Sequence, residues 1–171
     1  MTRESGLGYQ DFSIHNRQSL KRLARAIAMS DGEFSLILVC CKGSPQPLPL
    51  QIVNELRGLS SIPIEGIILN SQIDTLFGTI LSAIDEPPPP ALIIFGLESL
   101  VAIDSILSAA NLVRDEFRKQ FPFPLVLWID DEILQKLIRL APDLKSWATN
   151  PIRLEIRENQ AAECELAAIV V

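Results

Sequence analysis

The chain has 171 residues, of which 48% are hydrophobic and 21% are charged, and its formal net charge is −6. This composition excludes a disordered chain, which needs low hydrophobicity and a high net charge, and the length fits one domain with a sizeable core. The acidic balance argues against binding to nucleic acid, because proteins that bind it present a basic field to the phosphates.

Cysteine usage and hydropathy bear on the compartment. Cys40 and Cys41 are neighbours in an apolar run, and they are poor disulfide partners because adjacent strand residues point to opposite faces. An odd count of cysteines, with Cys164 as the third, is typical of a reducing compartment. No apolar leader is visible, and the longest apolar runs have about eight residues, too few to span a bilayer. We therefore expect a cytoplasmic protein without a membrane span.

The hydrophobic pattern predicts one helix, over residues 16–30, followed by strands and helices in strict alternation. Continuous apolar runs are typical of strands that are covered on both faces. The predicted strands cover 34–41, 62–69, 91–95, 125–129 and 152–156. The predicted helices between them cover 50–59, 71–84, 98–120 and a segment that begins at Asp131. Such alternation implies right-handed crossovers and helices on both faces of a mostly parallel sheet.

Four basic residues lie at helical spacing in the first helix: Arg17, Lys21, Arg22 and Arg25. We interpret them as a solvated helix face rather than as a nucleic-acid patch. His15 is the only histidine. The chain therefore lacks the ligands of a structural metal site and the histidine of a serine-based triad.

The loop after the first strand is where a phosphate-binding loop would lie, since ligands of parallel sheets bind at the carboxyl ends of the strands. A working P-loop has the pattern GxxxxGK followed by Ser or Thr, and its backbone N–H groups converge on phosphate. Residues 42–49 read KGSPQPLP, and each of the three prolines removes an N–H. High-affinity triphosphate binding is therefore not expected. Lys42, Gly43 and Ser44 remain candidate cofactor-binding residues.

Two later strand ends add candidates. Magnesium-nucleotide enzymes place an aspartate after the third strand, but Gly96 stands there and the first carboxylate is Glu98. We interpret Glu98 as a first-turn residue that the helix dipole favours. Asp130 and Asp131 could hold a cation or act as acid and base, but capping of the next helix explains them. Glu98 and Asp130 complete the candidate cofactor-binding residues, and no catalytic residue or metal ligand is assigned.

Residues 111–150 carry a set of recognisable features: Asn111, the pair Arg114-Asp115, the strand LVLW, and APDL followed by Ser146-Trp147. This stretch resembles STAND-type P-loop-NTPase-like domains, which precede tetratricopeptide or WD repeats in bacterial signalling proteins, many of them cyanobacterial. The run ALIIFGLESL is similar to the third strand of that family, and the first helix with FSLILVCC is similar to its opening. The resemblance covers most of the chain.

The resemblance implies an α/β three-layer sandwich with a mostly parallel five-stranded sheet, in the strand order 5-1-4-3-2, plus an N-terminal helix. Residues 1–171 would form a single α/β domain, with a flexible stretch at 1–15 and a C-terminal element of undetermined type at 158–171. The resemblance also implies that this domain acts with a protein partner or with further domains of a longer chain.

The chain departs from active members of that family, because the Walker A lysine and serine and the Walker B aspartate have no counterpart. We therefore expect an adaptor or regulatory module in a signalling protein, without NTPase activity and without a cofactor. One alternative is a nucleotide-binding switch or weak ATPase with an unconventional phosphate loop. Another is a degenerate receiver-like module, which would need an acidic pocket at the strand ends.

Residues 141–150 predict a short turn that closes the core. Pro142 ends the preceding helix, and Leu144 and Trp147 are three positions apart, so both side chains can face the same way. We expect this pair to pack on the sheet edge near the fifth strand. The competing interpretation is that Trp147 is an exposed anchor for a partner, since tryptophan is enriched at binding hot spots.

Overall fold

A computed structural model of the protein describes residues 14–42 and 49–155. The expectations for Gly43, Ser44, Ile156 and residues 158–171 lie outside the described residues, as does most of the stretch at 1–15. None of the described helices is long and apolar enough to cross a bilayer.

The fold is α/β, with one sheet of five strands that are all parallel. The strands are β1 (Ser35–Lys42), β2 (Glu65–Ile68), β3 (Leu92–Phe95), β4 (Pro124–Ile129) and β5 (Ile152–Glu155). Their spatial order is β2-β3-β4-β1-β5, so the expected order 5-1-4-3-2 is confirmed. A receiver-like module would instead have the order 2-1-3-4-5. The receiver-like alternative is therefore wrong.

Seven α-helices and one 3₁₀ turn are present in the described ranges. The helices are α1 (Arg17–Met29), α2 (Pro49–Leu59), α3 (Leu76–Ala83), α4 (Ile103–Leu112), α5 (Arg114–Gln120), α6 (Asp131–Leu140) and α7 (Pro142–Ser146), and the 3₁₀ turn is Leu97–Ser99. The α3 helix begins later than residue 71 because the Thr75 side chain caps it, accepting a hydrogen bond from the Gly78 N–H at 3.1 Å.

The continuous helix expected over 98–120 is wrong. The chain forms the 3₁₀ turn, passes through extended backbone at Leu100, and then forms α4 and α5 with a break at Val113. Leu100 is buried, so packing fixes the chain direction before α4 starts. At the second break the Arg114 guanidinium donates to the Asn111 carbonyl at 2.8 Å, which takes up an acceptor that a continuous helix would use.

Two hydrophobic clusters lie against opposite sides of the sheet, because successive strand residues point to opposite faces. On one face Leu36, Leu38 and Cys40 of β1 pack with buried residues of α3 to α7. On the other face Ile37, Val39 and Cys41 pack with α1 and α2. The two cysteines therefore point to opposite faces, as predicted, and both are free thiols.

The Trp147 side chain is half-buried and lies against the first of these clusters. Its ring meets the Phe34 ring edge-on, with 6.2 Å between centroids, and the Arg118 guanidinium lies 4.4 Å from the Trp147 centroid. The aromatic neighbour is thus the residue before β1. The inward side chains of β5, Ile152 and Leu154, pack in the cluster on the opposite face, so the expected packing beside β5 is wrong.

Candidate functional site

The candidate residues that the structure describes lie at the carboxyl edge of the sheet. Lys42 is the exposed last residue of β1, and Asp130 follows β4, the neighbouring strand. Glu98 follows β3, one strand further along. Because all strands are parallel, their carboxyl ends meet at one edge, and the sequence placed these three candidates there correctly.

Asp130 is the N-cap of α6. Its Oδ1 accepts a hydrogen bond from the Ile133 N–H at 2.8 Å, and its backbone is extended, as an N-cap requires. The capping interpretation is thus confirmed for Asp130 but is wrong for Asp131, the first residue of α6, whose carboxylate accepts hydrogen bonds from Cys40 and Arg153 instead. The Asp130 carboxylate satisfies one of the N–H groups that a helix leaves without an internal partner.

Glu98 is exposed and lies in the 3₁₀ turn Leu97–Ser99, and not in the first turn of a long helix. The residue before this turn, Gly96, has φ +94°, a conformation that side-chain-bearing residues rarely adopt. A Cβ atom at this position would lie 3.2 Å from the Leu69 carbonyl oxygen and 3.3 Å from the Leu69 nitrogen. Both the backbone angle and the close approach of Leu69 disfavour an aspartate here.

A cluster that the sequence did not predict joins β1, β5 and α6. The Cys40 thiol donates to Asp131 Oδ1 at 3.3 Å, and Arg153 Nη1 donates to the same oxygen at 3.1 Å. Arg153 Nη1 also lies 3.9 Å from Cys40 Sγ. Cys40 and Arg153 are partners in the β1–β5 ladder, which brings them together although they are far apart in sequence.

The electrostatics of this cluster keep the thiol protonated. Burial, the hydrogen bond to Asp131 and the negative charge of that residue together raise the pKa of Cys40 to about 11. The hydrogen bonds from Cys40 and Arg153 hold the pKa of Asp131 below its usual range. A protonated, buried thiol is a hydrogen-bond donor and a poor nucleophile, so the cluster is suited to holding strands together.

The second cysteine is also inert. Cys41 is fully buried on the other face, and burial raises its pKa to about 12, with a smaller contribution from Cys40 and from the Glu98 carboxylate. Within 14–42 and 49–155, no three His, Cys, Asp or Glu side chains come together as metal ligands.

Four of the residues that carry the family resemblance connect α4 to α7. We call this set, Asn111, Arg114, Asp143 and Leu144, the clasp. Asn111 Oδ1 accepts from the Leu144 N–H at 2.9 Å, and Asn111 Nδ2 donates to Asp143 Oδ2 at 3.2 Å. Arg114 Nη1 lies 3.8 Å from the same Asp143 oxygen. The α4 C-terminus and α7 precede β4 and β5 respectively, so the clasp lies at the edge where strands begin, away from the candidate site.

No family model, curated protein or solved structure matches the chain.

Proposed function

We propose that the chain is a P-loop-NTPase-like domain, a three-layer α/β sandwich, that does not hydrolyse nucleotide and acts as an adaptor or regulatory module in a bacterial signalling protein. The strand order, with β1 inside the sheet and residues 43–48 directly after its carboxyl end, supports the P-loop-like part of the proposal. The resemblance over residues 111–150 supports the signalling context.

The observation that carries the non-hydrolysing part is that the groups at the strand ends serve the fold. The Asp130 carboxylate holds the start of α6, and the Asp131 carboxylate holds Cys40 and Arg153. Each hydrogen bond to such a charged group is worth about 1.5–3 kcal/mol, which recruitment to a magnesium ion would have to offset. At the end of β3 the backbone of Gly96 disfavours a carboxylate.

The second candidate function is a nucleotide-binding switch or weak ATPase. One observation favours it: Lys42 is exposed at the carboxyl end of an interior strand, where a lysine would reach a phosphate. Its side chain makes no ion pair within the described ranges.

Isothermal titration of the full chain with ATP, ADP and GTP, each with magnesium, separates the two functions. We expect no binding tighter than about 10 μM, since that affinity corresponds to about 7 kcal/mol and needs several organised phosphate contacts. Binding tighter than this in the parent protein, weakened at least tenfold by Lys42→Ala, would establish the switch and refute the proposal. A phosphate-release assay on the same samples tests hydrolysis directly.

A further inference from the structure

The outer surface of α1 is basic, and no acidic side chain of the described residues forms an ion pair with it. Arg17, Lys21, Arg22 and Arg25 are all exposed, and α1 contains no Asp or Glu. The ion pairs of the described residues use other cations, and none of them involves α1. Four such charges within nine residues stand out in a chain whose net charge is −6, so this basic face is suited to an acidic group from elsewhere.

A groove adjoins the basic face between α1 and the end of α2. It has a volume of about 340 Å³ and is lined by Lys21, Ala24, Arg25, Ala28, Leu59 and Ser61. The lining therefore combines apolar side chains with two of the four cations. An occupant that fits both features needs acidic and aliphatic side chains in one short segment.

The described chain leaves the sheet beside the start of α1. Asn16, the residue before α1, donates from Nδ2 to the Glu155 carbonyl and accepts from the Glu155 N–H, each at 2.9 Å. Glu155 is the last residue of β5. Glu155, where the described residues end, is thus held next to Arg17 at the start of the basic face.

We propose that the basic face and its groove form a docking surface for the chain's own residues 158–171. This segment contains Glu158, Glu163 and Glu165 and no Lys or Arg, and it ends in the apolar run LAAIVV. Its carboxylates complement the four cations, and its aliphatic side chains match the groove. Its 14 residues are numerous enough to run along the 13-residue α1, which is about 20 Å long at 1.5 Å per residue.

Cross-linking through the native Cys164 tests this docking in the full chain. The buried thiols of Cys40 and Cys41, with pKa values of about 11 and 12, do not compete for a maleimide at neutral pH. Met29→Cys places a second thiol at the end of α1, next to the groove residue Ala28, where Met29 is 82% exposed. Leu112→Cys is the matched control, because Leu112 ends α4 on the other face and is 81% exposed.

With a short bis-maleimide, we expect intramolecular cross-linking of the Met29→Cys protein to be at least about tenfold faster than that of the control, and independent of protein concentration. Equal rates in the two proteins would overturn the proposal. Cross-linked dimers whose yield rises with concentration would also overturn it, because the occupant would then be a second copy.

Charge reversal provides an independent measurement. In the Met29→Cys protein, Lys21→Glu with Arg25→Glu should return the rate to that of the control, and adding Glu163→Lys with Glu165→Lys should restore it. Thermal melts check that each variant folds. Lys21 and Arg25 are both exposed, so replacing them removes no buried side chain. If the variants are folded and neither charge change alters the cross-linking rate, docking on the basic face is refuted.

Discussion

The Cys40 thiol and the Asp131 carboxylate, 91 positions apart in the chain, share a hydrogen bond of 3.3 Å. The same oxygen of Asp131 accepts from Arg153. One carboxylate therefore ties the interior strand β1 and the edge strand β5 to the first turn of α6. Burial and this contact both keep the thiol in its neutral form, and the raised pKa of Cys40 couples the stability of the protein to alkaline pH.

Stability should fall as the pH rises from about 9. The ordinary pKa of a cysteine thiol is 9.0, whereas that of Cys40 in the folded protein is about 11. The unfolded chain therefore loses this proton first, and the stabilisation, complete below pH 9, is lost as the pH rises through 11. Each such thiol lowers the free energy of unfolding by up to about 1.4 kcal/mol per pH unit in this window. Urea unfolding at pH 8 to 11 measures the slope.

The Cys40→Ala variant is the control for that slope, because other groups also titrate in alkaline solution. The free energy of unfolding of this variant should fall less steeply with pH than that of the parent. The Cys41 thiol still contributes to the slope through its pKa of about 12. Identical slopes in the parent and in Cys40→Ala would contradict the prediction.

Gly96→Ala should destabilise the protein by about 1–3 kcal/mol, because it places a side chain in left-handed backbone and against Leu69. Gly58→Ala is the matched control: Gly58 lies in α2, has no positive φ and has no atom within 4 Å of a built Cβ. That change should be neutral or stabilising by up to about 1 kcal/mol. Chemical denaturation measures the free energy of unfolding of both variants. If Gly96→Ala leaves this free energy unchanged, the prediction is wrong and the turn can relax.

The sequence predicted those parts of the fold that depend on local pattern. The runs that became β3 and β4 are buried throughout, and β1 is buried at all but its two end residues, so their unbroken hydrophobicity was informative. The expected helix over 98–120 failed because Val101 fits the helical spacing yet is 76% exposed, while the breaks depend on buried Leu100 and on the Arg114 side chain.

At the candidate site, too, the local sequence pattern predicted some contacts and not others. Asp130 could be predicted because a cap is satisfied three residues away, within one turn. The contacts among Cys40, Asp131 and Arg153 could not, because they depend on which strands pair and in which register. The apolar and charged residues of β5 alternate, and Arg153 is exposed, but this local pattern does not indicate the carboxylate that Arg153 binds.

Asn16→Ala should destabilise the protein by about 1–3 kcal/mol, because it leaves the N–H and the carbonyl of Glu155 without these partners at a site where Asn16 is only 5% exposed. Gln18→Ala, at an exposed position in the first turn of α1, should change the stability by less than about 0.5 kcal/mol. Thermal melts compare the two. Hydrogen exchange should show faster exchange of the Glu155 amide in Asn16→Ala alone, and equal protection in both variants would contradict this role.

Trp147→Ala should destabilise the protein by about 2 kcal/mol, less than the roughly 3–5 kcal/mol typical of a fully buried aromatic. The side chain is half-buried, and its Phe34 contact and the Arg118 cation each add about 0.5–1 kcal/mol to simple burial. Arg118→Gln removes only the cation, so a double-mutant cycle with Trp147→Ala isolates the coupling between the ring and the cation. This coupling should be near 0.5 kcal/mol. High salt should weaken it more than it weakens the Phe34 contact. A melt of Trp147→Ala that overlays the parent would instead make Trp147 an exposed anchor for a partner, whereas a loss above about 4 kcal/mol would mean that the ring is more deeply packed than its half-buried position indicates.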